Sequence, residues 1–226
     1  MTRKAFMTKK TFAILVLFIA LCSFRKGFFH QTLGDIAAID FPDKPQITDT
    51  LGQHLHHYSD SSGFYLAGFA DLTTKSGAGF SQNELDSIYS GFIGGTLNTS
   101  KGKLVSKKPY HIDGLRGYEI KYITNNPNLS NLRFKRMLFL NNKMLYIDFW
   151  TDKDKDERSK PARERFFNSL KITVNKASRQ QGASEIGNVA FGLGYIVGQA
   201  IVWVVLAGVI LVVILFIVNR NKRRPM

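Results

Sequence analysis

Lys143-Met-Leu-Tyr-Ile-Asp-Phe-Trp150 is the stretch from which the fold is read. In an extended chain, successive side chains point to opposite faces. Met144, Tyr146, Asp148 and Trp150 therefore share one face, and Leu145, Ile147 and Phe149 the other. Both sets are bulky and mostly apolar, so neither face can be left in water. A strand of this kind is central and covered on both sides. Just before it, Asn141 and Asn142 tolerate the left-handed backbone of a tight hairpin turn, and Leu132 to Leu140 reads as the partner strand. A covered hairpin at the heart of a sheet predicts layers of helix, sheet and helix.

Working outward, strand patterns recur between turn-forming residues. Ile36 to Phe41 runs into Pro42. Gly52 to Tyr58 and Phe64 to Leu72 flank Ser59-Asp-Ser-Ser-Gly63 and predict a second hairpin. Ser81 with Glu84 forms a capping box, and Leu85, Ile88, Tyr89, Phe92, Ile93 and Leu97 recur at helical spacing, which predicts a helix from Gln82 to about Asn98. Further strands are expected over Lys103–Ile112 and Tyr118–Ile123, and a second helix over Pro161–Leu170 with Phe166, Phe167 and Leu170 as its buried face. The fold class is thus α+β: a mainly antiparallel sheet flanked by helices in α/β/α layers, with one C-terminal transmembrane helix.

The chain has 226 residues, 44% of them hydrophobic, and carries a formal charge of +14. That composition excludes a disordered polymer. Arg3, Lys4, Lys9 and Lys10 at one end and Arg220, Lys222, Arg223 and Arg224 at the other hold much of the positive charge, so nucleic acid is not the implied partner. The single cysteine, Cys22, excludes an intrachain disulfide framework and a cysteine-rich zinc site.

The apolar ends predict the location. Residues 196–218 would form a helix of roughly 35 Å, enough to cross a hydrocarbon core of about 30 Å. Ile196, Trp203, Leu206, Ile210 and Leu215 are its expected lipid-facing residues. The basic cluster Arg220, Lys222, Arg223 and Arg224 is the topology signal that keeps the C-terminus cytoplasmic. Gly194 and Gly198 form a Gly-x-x-x-Gly spacing that lets helices approach closely. At the other end, the basic start and the uncharged run from Thr11 to Phe24 describe a signal peptide or short anchor. Ala20 and Cys22 make a poor cleavage site, and Leu21 departs from a lipoprotein box. The expected organisation is a signal or anchor over residues 1–26, an extracytoplasmic domain over 27–175, a flexible polar linker over 176–187, a transmembrane helix over 188–219 and a basic tail over 220–226. In a bacterium this places a single-pass protein in the inner membrane, with its domain in the periplasm.

Several short motifs occur in order within the central segment. They are Phe41-Pro42-x-x-Pro45 after the opening strand, Ile112-x-Gly114-x-x-Gly117-x-Glu119 leading into a strand, Leu145 and Tyr146 in a late strand, and Phe166-Phe167-x-Ser169-Leu170-Lys171-Ile172 at the end. Together, over about residues 36 to 174, they resemble the PsbP-like domains, which share the fold of the extrinsic PsbP subunit of photosystem II. The resemblance implies an antiparallel sheet between helices and use as an accessory or binding module without known catalysis. It transfers no family binding residues to these positions.

Candidate chemistry is sparse. His54 and His56 alternate on one strand face with His57 opposite, a pair that could hold a transition metal if His111 or a carboxylate completed the set. Asp152, Asp154 and Asp156 alternate like the start of a calcium loop, but Glu157 and Arg163 occupy the positions of the required glycine and bidentate acid, so a solvated, charge-balanced loop is expected. Gly77, Gly79 and Ser81 fall short of a phosphate-cradle fingerprint. There is no Gly-x-Ser-x-Gly elbow. Arg133, Lys135 and Arg136, and Arg158, Lys160, Arg163 and Arg165, form basic clusters that would favour anionic headgroups or an acidic partner. The expected function is a non-catalytic binding or accessory module on an envelope membrane, with membrane lipid and an envelope protein as partners and no cofactor. The alternatives are a tethered metal-dependent enzyme using the His54, His56 and His57 region, and a structural subunit of a membrane complex.

Overall fold

The computed structural model describes residues 27–50, 53–72, 82–125, 130–181 and 195–199. Its elements are β1 (Phe29–Leu33), β2 (Ala37–Phe41), β3 (Gln46–Thr50), β4 (Gln53–Ser59), β5 (Phe64–Asp71), α1 (Gln82–Thr99), β6 (Lys103–Ile112), β7 (Leu115–Ile123), β8 (Leu132–Leu140), β9 (Lys143–Thr151), α2 (Asp156–Asn168) and β10 (Lys171–Ile172). They form a mixed α+β structure with antiparallel pairing throughout. The main sheet runs β3-β4-β5-β9-β8-β7-β6, and a second sheet runs β1-β2-β10.

The covered strand lies where its two apolar faces require. β9 is the middle strand of the main sheet, and all its residues after Lys143 are buried. The turn before it has Asn141 at φ 49° and Asn142 at φ 58°, both left-handed, which aligns β8 with β9. On one face, Leu85, Ile88, Tyr89, Phe92 and Ile93 of α1 pack against Ile120, Tyr122, Met137, Phe139, Met144 and Tyr146. Full burial of Leu85, Ile88 and Phe92 contributes about 1.5–3 kcal/mol each. On the other face, Phe166 and Phe167 of α2 join Leu33, Ile39 and Phe41 against Tyr65, Ala67, Leu145, Ile147 and Phe149.

That second face differs from expectation. The opening strand Ile36–Phe41 does not join the main sheet; it is the middle of the small sheet, which shares the covering role with α2. Its partners β1 and β10 are short, and neither shows an apolar alternation strong enough to read. Helix α2 also begins five residues before Pro161. Asp156 and Glu157 in its first turn favour the positive end of the helix. Asp156 receives Lys121 Nζ at 2.9 Å and Arg163 Nη1 at 2.6 Å. Those bonds fix the start of the helix and outweigh the loss of the Pro161 N–H from its interior. The three aspartates are therefore not an open loop: Asp154 lies in a 3-10 turn, Lys153–Lys155, that leads directly into α2.

The polar linker is also not flexible from its start. Residues 176–181 are fastened to two hairpin turns. Arg179 donates from Nε to the Val174 carbonyl at 2.9 Å and from Nη1 to the Asp113 carbonyl at 3.2 Å. Gln180 N donates to Asn141 Oδ1 at 2.8 Å, and Asn141 N to the Gln180 carbonyl at 3.0 Å. Pairing between β7 and β8 ends at Gly117 and Leu138, so Arg116 and Phe139 would be the next pair. The Gln181 amide occupies that gap: Nε2 donates to the carbonyls of Arg116 and Phe139, each at 2.9 Å, and Oε1 accepts from Arg116 N at 2.8 Å. Tyr89 completes it from α1, donating to the Arg116 carbonyl at 2.6 Å and accepting from Phe139 N at 2.8 Å. Buried backbone groups must be paired, and here side chains pair them. Replacing Gln181 with alanine is expected to cost about 1–3 kcal/mol, read as a lower urea midpoint with faster exchange of the Arg116 amide; an unchanged midpoint would make the strap incidental.

The expected transmembrane residues Trp203, Leu206, Ile210 and Leu215 and the basic signal Arg220, Lys222, Arg223 and Arg224 lie outside the described residues, as does the 1–26 segment. Among the described residues no helix is long and apolar enough to cross a membrane. Residues 195–199 are helical; Ile196 is exposed, and Val197 joins the core beneath α1.

Candidate functional site

A groove of about 270 Å³ opens between the turn after β4 and the middle of α2. Aromatic and proline side chains, Phe28, Pro42, Tyr65, Pro161 and Phe166, form most of its wall. Tyr65 is fixed by edge-on contacts to Phe149 and Phe166, with ring centroids 5.0 and 5.2 Å apart. Asp60 is placed by its own turn, where Oδ1 accepts from Ser62 N at 2.7 Å and Gly63 N at 3.2 Å. Its other oxygen accepts from the Tyr65 hydroxyl at 3.4 Å. Burial, then the Asp60 charge, pushes the Tyr65 pKa well up, so this hydroxyl remains a donor at physiological pH. Arg165 lies across the groove, 3.7 Å from the centre of the Phe28 ring and in no ion pair among the described residues. One cation and one carboxylate on an aromatic wall can orient a polar ligand. Of these residues sequence marks only Arg165 as candidate chemistry; Pro42, Pro161 and Phe166 read as parts of the fold, and the Asp60-x-Ser62-Gly63 turn signal as a loop.

The basic cluster Arg133, Lys135 and Arg136 is not a surface. Arg133 and Lys135 point into the α1 face and are 2% and 1% exposed, next to Asp148 at 1%. Lys135 Nζ lies 3.0 Å from Asp148 Oδ2 and 5.1 Å from the ring centres of Phe92 and Tyr146. The Arg133 guanidinium stacks 3.9 Å from the centre of Trp150. Burial lowers the Lys135 pKa, while Asp148 opposes that shift. Burial raises the Asp148 pKa against the pull of Lys135 and Arg133. Arg136 points the other way and pairs with Glu119 at 2.6 Å. The alternation of β8 predicts this division of faces, but charge alone reads as exposure. In the second basic cluster, Arg163 is paired with Asp156.

The histidines are placed as the strand alternation requires, but they do not converge. His54 is exposed, with Nδ1 at 2.8 Å from Asp49 Oδ1. His56, on the same face, is 6% exposed, and its Nδ1 has no hydrogen-bond partner; burial lowers its pKa. His57 stacks on Phe64 from the opposite face. His111 cannot complete a site, because β6 and β4 are five strands apart, about 24 Å at strand spacing. Among the described residues no group of three His, Cys, Asp or Glu side chains could hold a metal. Gly77, Gly79 and Ser81 lie outside the described residues.

Residues 195–199 meet α1 at a crossing notched by glycine. A Cβ added to Gly95 would fall on the Tyr195 carbonyl oxygen, and one on Gly198 would fall on the Phe92 carbonyl oxygen. The two backbones touch because neither has a side chain there. Sequence picked out Gly198, paired with Gly194 as a spacing that lets helices approach closely; Gly194 lies outside the described residues.

No family model matches the chain, and no curated protein does. Among solved structures it is similar to cyanobacterial PsbP (CyanoP) from Synechocystis sp. PCC 6803, at 12% identity and a TM-score of 0.49 over 65% of this chain and 93% of that one. It is also similar to a protein of unknown function from Pseudomonas aeruginosa, at 11% identity and a TM-score of 0.36 over 63% of this chain and 94% of that one. Both are likenesses of fold alone.

Proposed function

We propose that the chain is a membrane-anchored envelope protein whose extracytoplasmic α+β domain is a non-catalytic binding or accessory module. The observation that carries this reading is the seating of residues 195–199 on α1 at the start of an uncharged apolar run that continues to residue 218. The run begins within this packed helical turn, and its length in residues suits a bilayer. The groove supports binding over catalysis. Asp60 is already engaged by its turn, the raised Tyr65 pKa makes that hydroxyl hold its proton, and Arg165 supplies a fixed positive charge. Envelope protein and membrane lipid are the partners of this reading.

The test uses the full chain with Cys22→Ser and one new cysteine, at Lys153 or at Asn221, in intact bacterial spheroplasts. A membrane-impermeant maleimide is expected to label Lys153→Cys and not Asn221→Cys, with the protein retained in the pellet after alkaline washing. Release into the alkaline supernatant, or labelling of both positions, overturns the reading.

A further inference from the structure

We infer that the edge strand β6 is a lipid-facing surface that rests on an anionic bilayer beside the anchor; the inference depends on the anchoring proposed above. The segment from Lys101 to Ile112 contains Lys101, Lys103, Lys107 and Lys108 and no acidic residue. All four lysines are exposed, and among the described residues none forms an ion pair. In contrast Lys121, Arg136, Lys143, Lys155 and Arg163 are each matched to a carboxylate. Between the lysines, Leu104 and Val105 are 38% and 54% exposed, at a bulge in the pairing of β6 with β7. Two apolar side chains ringed by unneutralised lysines on a sheet edge are complementary to headgroup phosphates over acyl chains.

The position of the anchor makes a bilayer the fitting occupant. Gly198 lies against Phe92 and Thr96 of α1. Lys101 follows Thr96 by five residues, about 8 Å at helical rise. Gly102 is packed on Tyr122 and Leu97, and Leu104 lies opposite Tyr122 on the α1 side of the sheet. The described start of the apolar run, residues 195–199, therefore lies by the end of α1 that leads into β6, where Leu104 and Val105 are exposed. Each lysine brought to an anionic surface strengthens the contact roughly fivefold at low salt.

The full chain, carrying Cys22→Ser and Val105→Cys with an environment-sensitive fluorophore on the new thiol, is reconstituted into vesicles of phosphatidylcholine alone or mixed with phosphatidylglycerol. In the mixed vesicles the emission is expected to shift to the blue, with at least a twofold gain in quenching by lipid-borne quenchers. Lys103→Gln/Lys107→Gln/Lys108→Gln or molar salt is expected to abolish both changes. These lysines are exposed, so the variant is expected to fold, and unchanged circular dichroism verifies it. A label equally wet in both vesicles, in protein that floats with them, overturns the lipid-facing edge and leaves the anchoring intact. Protein that floats with neither vesicle overturns the anchoring and this inference together.

Discussion

Asp148→Asn is expected to destabilise the domain by about 3–5 kcal/mol, more than any other single change of charge in the chain. Asp148 is the buried acid between two buried cations, Arg133 and Lys135. Removing its charge leaves both uncompensated beneath α1. Lys135→Met is expected to cost about half as much, since Arg133 still faces Asp148 and the methionine fills the space of the lysine stem. Adding Lys135→Met to Asp148→Asn should recover part of the loss, a coupling that a double-mutant cycle in urea reads directly. The deficit of Asp148→Asn should shrink at alkaline pH. Burial already holds the Lys135 pKa below the ordinary lysine value. Such a depressed group loses stability as pH falls through its folded pKa, and regains it as the amine becomes neutral. Equal costs for the two single variants, with no coupling, would mean that the three charges do not act together.

Gly198→Ala should separate residues 195–199 from α1, with a loss of about 1–3 kcal/mol. Intrinsic propensity argues for the opposite sign, because alanine in a helix is favoured over glycine by about 1 kcal/mol. The crossing decides it: the new methyl group would fall on the Phe92 carbonyl oxygen and crowd the Thr96 amide. The reading is the yield of a short bifunctional maleimide cross-link between Gly94→Cys and Tyr195→Cys in a Cys22→Ser background. A Cβ on Gly94 would lie 3.6 Å from the Tyr195 ring, so the two thiols are expected to fall within the span of such a reagent. Gly198→Ala should lower the yield more than tenfold, while Ile196→Leu, at an exposed position, should leave it unchanged. A higher melting temperature for Gly198→Ala would refute the close crossing.

What the sequence made legible was set by periodicity. β9, its hairpin with β8 and the stripe of α1 were read correctly because apolar spacing and two asparagines speak with one voice there. β1, β3 and β10 escaped because short strands at an edge or in a small sheet carry little pattern. Charge was the poorer guide. Arg133 and Lys135 read as surface, yet their strand parity placed them in the core, where Lys135 lies directly opposite Asp148 across the β8–β9 pair. The unmatched lysines of β6 gave a local signal, an acid-free run on an alternating strand, that a search for compact clusters passes over. Gln181 lay in a segment whose composition describes a flexible linker, and only the ending of a strand pair could reveal its role.

That glutamine has a consequence for the order of events in the cell. It is made after β1 to β10, α1 and α2, yet it closes the seam where β7 and β8 part. A chain delivered N-terminus first to the compartment where it folds can assemble its strands early, but the seam stays unsealed until residue 181 has arrived. The apolar C-terminal run begins at residue 196, fifteen residues further on. A premature stop anywhere before residue 181 therefore leaves a polypeptide with neither the seal nor that run.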